Sequence, residues 1–275
     1  MTRRKFLLVG IDGLRVADAL RPGAAPALAA LIEAGSLHPM TMEVPTWSGP
    51  GWSSILTGTT HAQHGVFDNT FHGNTLSANA DLLSRAFFAD PTRGTFAAVS
   101  WPPLADPAGP GPVIATRSDQ QRSGMHRLVI RDGETYGYRA GDGEIAAFSR
   151  LALRDAGPDA SFVYLGEVDE AGHLYGGTSP EYAAALRRVD AHLAGIVAAV
   201  AARAETHDED WLIGVTSDHG HVDAGGHGGA DEVVTASFLA LGRFVRGGSV
   251  HPTALVSRQR IRPDEVAGVL LAHLE

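Results

Sequence analysis

Thr216-Ser217-Asp218-His219-Gly220-His221-Val222-Asp223-Ala224-Gly225-Gly226-His227-Gly228-Gly229 follows directly on the apolar run Trp211-Leu212-Ile213-Gly214-Val215. Three histidines and two aspartates fall within 218–229, laced with glycines that let the backbone turn tightly around a small centre. The stretch reads as a buried strand ending in a metal-binding loop. One such loop cannot complete a paired metal site, so the rest of the chain must bring partners to it.

Two other apolar runs do so. Residues 6–11 end in Asp12-Gly13, and residues 161–168 end in Asp169. Short apolar runs of this kind are buried parallel strands, and their three aspartates then emerge on one sheet edge, where open α/β sheets bind ligands. Helical spacing at 25–34, with Gly35 as its stop, and at 52–57, 144–153, 180–202 and 263–274 supplies covering layers. Residues 37–44, 96–100, 113–116 and 233–241 read as further strands. The predicted fold class is α/β, a mostly parallel central sheet flanked by helices, in a single domain over 1–275. The Pro- and Gly-rich stretch at about 69–150 reads as a loop-rich insertion that recognises substrate. Within it Tyr136 and Tyr138, with Arg117, Arg122, Arg127, Arg131 and Arg139, are candidates for leaving-group contacts.

Composition narrows the chemistry. A chain of 275 residues with 44% hydrophobic and 19% charged residues is ordinary for a soluble globular protein, with Lys scarce. Its formal charge of −9 argues against a general nucleic-acid binder, which needs clustered basic residues. The absence of cysteine removes disulfides, thiolate nucleophiles and zinc-thiolate sites together. The apolar run after Arg3, Arg4 and Lys5 is too short for a signal segment, and none approaches membrane-spanning length, so the expected location is cytoplasmic, with no membrane partner. The sequence says nothing of oligomeric state.

A single aspartate after a strand is usually a turn former or a helix cap. Three of them, each with a histidine or hydroxyl in step, point to metal. Asp169 has His173 four residues on; Asp218 adjoins His219, and His227 follows eight residues later. An Asp/His set without thiolate suits zinc or manganese better than magnesium or calcium, which prefer oxygen shells. With Ser48 the set numbers seven, too many for one catalytic zinc and suited to two ions. Ser48 lies just before a helix, in Pro45-Thr46-Trp47-Ser48-Gly49-Pro50-Gly51, where free N–H groups favour an anion. A hydroxyl held on a metal there becomes a nucleophile without a histidine base.

In these residues the chain resembles the alkaline phosphatase superfamily, and most closely its nucleotide pyrophosphatase/phosphodiesterase (type I phosphodiesterase) branch. The matching pieces are Val9-Gly10-Ile11-Asp12-Gly13, Pro45-Thr46-Trp47-Ser48-Gly49-Pro50, Leu56-Thr57-Gly58, His64-Gly65-Val66-Phe67-Asp68-Asn69, Asp169 with His173, Ser217-Asp218-His219-Gly220 and Gly226-His227-Gly228. The resemblance implies two divalent ions, zinc first and manganese second. Asp12, Ser48, Asp218 and His219 would hold one, and Asp169, His173 and His227 the other. It implies Ser48 as the nucleophile, forming a phospho-enzyme that water then hydrolyses, with Thr46 as the rival. His61, His64 and His221 stand outside the ligand set. The expected substrate is a small phosphate ester: a phosphodiester or nucleotide pyrophosphate, or alternatively a phosphomonoester or phosphonate.

Two departures matter. The branch usually has Thr where this chain has Ser48, and a phosphate-contacting Asn where it has Gly51, so the Gly51 N–H or Asn69 is the expected substitute. A sulfatase motif would need arginine at Trp52, and a cofactor-independent phosphoglycerate mutase would need a further domain. The alternative from another class is a non-catalytic metal- or phosphate-binding module.

Overall fold

The structure, a computed structural model, describes residues 2–250 and 260–275. Its eight strands are β1 (Arg3–Ile11), β2 (Ser36–Thr41), β3 (Thr95–Val99), β4 (His126–Ile130), β5 (Ala160–Leu165), β6 (Glu209–Thr216), β7 (Ala236–Val245) and β8 (Gly248–Val250). They form one sheet in the order β2-β7-β6-β1-β5-β3-β4, with β8 paired to β7. The strands from β6 to β4 run parallel, whereas β2, β7 and β8 join antiparallel. The longer helices are α1 (Pro26–Ala34), α2 (Ser48–Thr57), α3 (Leu82–Ala89), α4 (Tyr138–Leu151), α5 (Glu167–Tyr175), α6 (Pro180–Thr206) and α7 (Val266–His273).

The near-continuous apolar sequence of β1 follows from its place at the centre of the sheet, covered on both faces. With a side-chain period of two, Phe6 and Leu8 pack with Trp52 and Leu56 of α2, Leu82 of α3 and Leu270 of α7. Leu7, Val9 and Ile11 point the other way, into Leu28 of α1, Ile145 of α4 and Val189 and Leu193 of α6. Because β5 and β6 flank β1 in parallel, with Gly10 opposite Thr216 and Ile11 opposite Leu165, the three chain exits lie side by side.

Three expectations change. Residues 113–116 form no regular element. The strand expected at 161–168 ends at Leu165, and Asp169 sits in the first turn of α5. The reason is buried Asp142 on α4, whose carboxylate accepts the Gly166 and Glu167 N–H groups at 3.0 and 2.8 Å and so starts the helix. Stretch 69–150, besides its loops, contributes β3, β4, α3 and α4 to the sheet and its covering layers. No helix among the described residues is long and apolar enough to cross a membrane.

Helix α2 is anchored by His64, whose ring is fully buried. Its Nδ1 accepts the Val66 N–H at 3.1 Å, which leaves Nε2–H to donate to Ser54 Oγ at 3.0 Å. Burial, and secondarily the neighbouring His61, push its pKa down to about 4. The unfolded chain therefore takes up this proton near pH 6.5 while the native ring refuses it. The stability gained from the neutral ring is full above pH 6.5 and is lost as pH falls towards 4. His64→Gln should lower stability at pH 7.5 and show a smaller further loss than wild type between pH 7 and pH 5, read from urea midpoints. Parallel curves would refute this role. Gly10 makes room for the Trp52 indole, since a Cβ there would lie 2.3 Å from Cη2. Gly10→Ala should therefore cost about 1–3 kcal/mol of unfolding free energy, whereas an unchanged midpoint would mean that the indole yields freely.

Candidate metal centre

Asp12, one residue beyond β1, and Asp218, two beyond β6, are both fully buried. Asp12 Oδ2 accepts from Trp52 Nε1 at 2.9 Å and from the Tyr164 hydroxyl at 2.6 Å, which turns Oδ1 inward. Asp12 Oδ1 and Asp218 Oδ2 have no hydrogen-bond partner. Both face His219 Nε2, at 3.3 and 3.2 Å, and Ser48 Oγ lies 3.2 Å from the same nitrogen. His219 Nδ1 donates to the Gly220 carbonyl at 3.2 Å, so Nε2 carries a lone pair.

The two carboxyls of this arrangement resist ionisation without a cation. Burial, then the charge of Asp169, raises the Asp12 carboxyl to about 7. Burial, then Asp12 and Asp169, drives Asp218 well above the carboxylate range. Burial, with His227, holds His219 well below the usual imidazole value. A divalent ion removes all three conflicts, because it needs two carboxylate oxygens and a neutral imidazole. The spacing agrees: ligands about 2.0–2.1 Å from a tetrahedral ion stand about 3.3–3.4 Å apart.

A second set adjoins the first. His173 Nε2 lies 3.0 Å from His227 Nε2 and 3.4 Å from Asp169 Oδ2, and His227 Nε2 lies 3.7 Å from Asp169 Oδ1. His227 Nδ1 donates to the Thr46 carbonyl at 2.7 Å, again leaving Nε2 as an acceptor. Burial opposes charge on Asp169, but His173 and His221 overcome it and hold the carboxyl well below its ordinary range. The His219 and His227 rings stack with centroids 3.6 Å apart, so the two sets share a wall. His173 is the exposed member, at 45% for its side chain, and opens this set to solvent.

All seven sequence candidates thus converge. His221 joins them, its ligand atoms lying within 4.8 Å of those of Asp169, His219 and His227. Both its nitrogens are engaged: Nδ1 accepts the Gly226 N–H at 3.0 Å, and Nε2–H donates to Asp169 Oδ1 at 2.7 Å. It orients the Asp169 carboxylate, consistent with a place outside the ligand set. Thr46 is also committed, taking the Gly228 N–H at 3.0 Å on Oγ1 and donating to the Gly229 carbonyl at 2.9 Å. It clamps the loop that carries His227, which leaves Ser48 as the free hydroxyl of the pair.

The expected Gly51 contact is corrected: its N–H is bonded to the Trp47 carbonyl at 3.0 Å, as the first intrahelical bond of α2. An added Cβ there would also press on Asp218 Cβ at 3.0 Å, so Gly51 serves the close approach of two site-bearing segments. Asn69 does reach the site, accepting the Gly49 N–H on Oδ1 at 2.7 Å. The arginine expectation fails, since none lines the cleft over Ser48. Arg117 is buried against Thr95 and His126, Arg122 pairs with Asp119, and Arg131 pairs with Glu144. Sequence reading missed Trp52 and Tyr164, whose roles arise only when α2 and β5 pack against β1.

The sequence model of the type I phosphodiesterase/nucleotide pyrophosphatase family matches residues 6–265. No curated protein sequence matches. Among solved structures the chain is similar to the phosphonoacetate hydrolase of Sinorhizobium meliloti 1021 in complex with phosphonoformate, at 19% identity over 80% of this chain and 57% of that one, with a TM-score of 0.57. Murine ectonucleotide pyrophosphatase/phosphodiesterase 5, in an inactive form with AMP, is similar at 18% identity over 79% of this chain and 57% of that one, with a TM-score of 0.56. The PH0037 protein of Pyrococcus horikoshii is similar at 15% identity over 100% of this chain and 97% of that one, with a TM-score of 0.58. At these identities the likeness is one of fold. The chain spans 57% of the length of the first two.

Proposed function

Because the chain belongs to the type I phosphodiesterase/nucleotide pyrophosphatase family, within the alkaline phosphatase superfamily, we propose that it hydrolyses phosphate esters or phosphonates with two divalent ions and Ser48 as nucleophile. The observation that carries this reading is the convergence of Ser48 Oγ, His219 Nε2 and the two unpartnered carboxylate oxygens of Asp12 and Asp218. Asp12, Asp218, His219 and Ser48 would hold one ion; Asp169, His173 and His227 would hold the other. Zinc fits the donor set best and manganese next. When bound, such ions lower the pKa of a coordinated hydroxyl and offset charge on phosphoryl oxygens.

The residues perform the rest. Ser48 gives up its proton to solvent water as its Oγ attacks phosphorus; the leaving group departs with the electron pair of the broken bond and takes up a proton from water, and a second water hydrolyses phospho-Ser48, restoring the hydroxyl and releasing the phosphoryl group. Ser48 is the first residue of α2, so the positive end of that helix faces the incoming phosphate. The Gly49 N–H fixes the Asn69 amide through Oδ1, leaving its NH2 to donate to a phosphoryl oxygen in place of the missing Asn at 51. Stretch 69–150 supplies Asn69, Trp101, Glu134 and Tyr138 of the cleft wall, which supports its role in recognising substrate. In a non-catalytic binding module Ser48 would serve only as the fourth ligand of that ion, and turnover separates the two readings.

Zinc- or manganese-loaded protein should hydrolyse p-nitrophenyl phosphate or bis-p-nitrophenyl phosphate, and EDTA should abolish the activity. Ser48→Ala should reduce kcat at least about a thousandfold. Turnover that survives in that variant would remove Ser48 from the mechanism, and no turnover of any ester would favour the binding module.

A further inference from the structure

The cleft over Ser48 is a cavity of about 370 Å³ whose outer wall has an unusual charge for a phosphate site. Trp47 and Tyr138 present aromatic surface to it, Trp47 being 39% exposed, and Glu134 and Glu170 stand beside them. Neither glutamate forms an ion pair among the described residues. Trp101 Nε1 donates to Glu134 Oε1 at 3.0 Å, and the Tyr138 N–H donates to Glu170 Oε1 at 3.3 Å. Each carboxylate is thereby steered while its second oxygen is left for a ligand. Tyr138 is wedged between Gly133 and Gly166, where an added Cβ on either would lie 2.4 Å from its ring, so this wall is rigid.

No lysine or arginine lines the cavity. The chain's single lysine, Lys5, lies towards the other end of β1, bound to Asp159 and Glu209 at 2.8 and 3.5 Å. The proposed ions are offset by Asp12, Asp169 and Asp218 together with the single charge of a bound phosphodiester, which leaves Glu134 and Glu170 as a negative surplus. Such a wall repels a second phosphate or a carboxylate and attracts an ammonium group, which aromatic faces also favour.

We propose that the organic group borne by the phosphate in this cleft is cationic, an amino alcohol with a primary or quaternary ammonium, held by Glu134 and Glu170 against Trp47 and Tyr138. The proposal rests on the phosphoesterase reading above and names its substrate class. Glu134, Tyr138 and Glu170 sit on the segments carrying α4 and α5, and Trp47 closes the wall from just before α2, so the wall that selects the substituent is built largely apart from the sheet edge that binds phosphate.

Three p-nitrophenyl esters test it on the zinc-loaded protein: p-nitrophenyl phosphocholine, its neutral isostere 3,3-dimethylbutyl p-nitrophenyl phosphate, and the p-nitrophenyl ester of thymidine 5′-monophosphate. The choline ester should exceed the isostere in kcat/KM by about tenfold or more, and the ratio should fall towards one in the double variant Glu134→Gln, Glu170→Gln. An isostere or thymidine ester hydrolysed as well as the choline ester would overturn the proposal. If none of the three is hydrolysed, calorimetric titration with phosphocholine and with 3,3-dimethylbutyl phosphate decides the cleft separately, and the phosphoesterase reading fails only if p-nitrophenyl phosphate is not turned over either. Tighter phosphocholine binding sustains a cation-selective wall; equal or weaker binding removes it.

Discussion

Asp12 and Asp218 lie buried side by side at the ends of adjacent parallel strands, and two carboxylates in that position cannot both ionise without a cation between or beside them. Much of the surrounding structure serves this constraint. Trp52 and Tyr164 occupy one oxygen of Asp12 and turn the other inward, and Gly10 gives up its side chain so that the indole can reach. His219 and His227 have their Nδ1 atoms tied to backbone carbonyls, which presents both Nε2 atoms as acceptors. The protein thus holds oxygen and nitrogen lone pairs pointed at a common centre, an arrangement that costs stability on its own and gains it when an ion is bound.

The loop at 216–229 now has distinct parts. Asp218 and His219 face β1, His221 turns Asp169, and His227 crosses to His173, with Thr46 clamping Gly228 and Gly229 behind it. Glycine at 226, with φ of 93°, provides both the turn and the N–H that sets the His221 tautomer. Loop and strand-end ligands are therefore coupled through hydrogen bonds as well as through any shared ion.

Asp12 and Asp218 were legible because an apolar parallel strand leaves a plain signature and its last polar residue marks the sheet edge. Asp169 was placed correctly in space but on the wrong element, since Val168 continues the apolar pattern of β5 while belonging to the buried side of α5. The switch is made by Asp142, twenty-odd residues upstream in sequence, which no local pattern reveals. The arginines of 117–139 were misleading for a related reason: their partners, among them Asp119, His126 and Glu144, are set by packing and local pairing. The Gly51 N–H read as one substitute for the missing phosphate-contacting amide, yet it belongs to the first turn of α2. Of the glutamates and aromatic rings of the cleft wall Tyr138 alone stood out as a candidate contact, whereas Glu134, Glu170 and Trp47 gained a role in it only when α4, α5 and the segment before α2 met around Ser48.

The central claim is that the converging lone pairs hold two ions, and anomalous diffraction from crystals grown with zinc measures it directly. The account predicts two peaks, one bounded by Asp12, Ser48, Asp218 and His219 and the other by Asp169, His173 and His227. A single peak, or one ligated by His221 in place of His173, would contradict it.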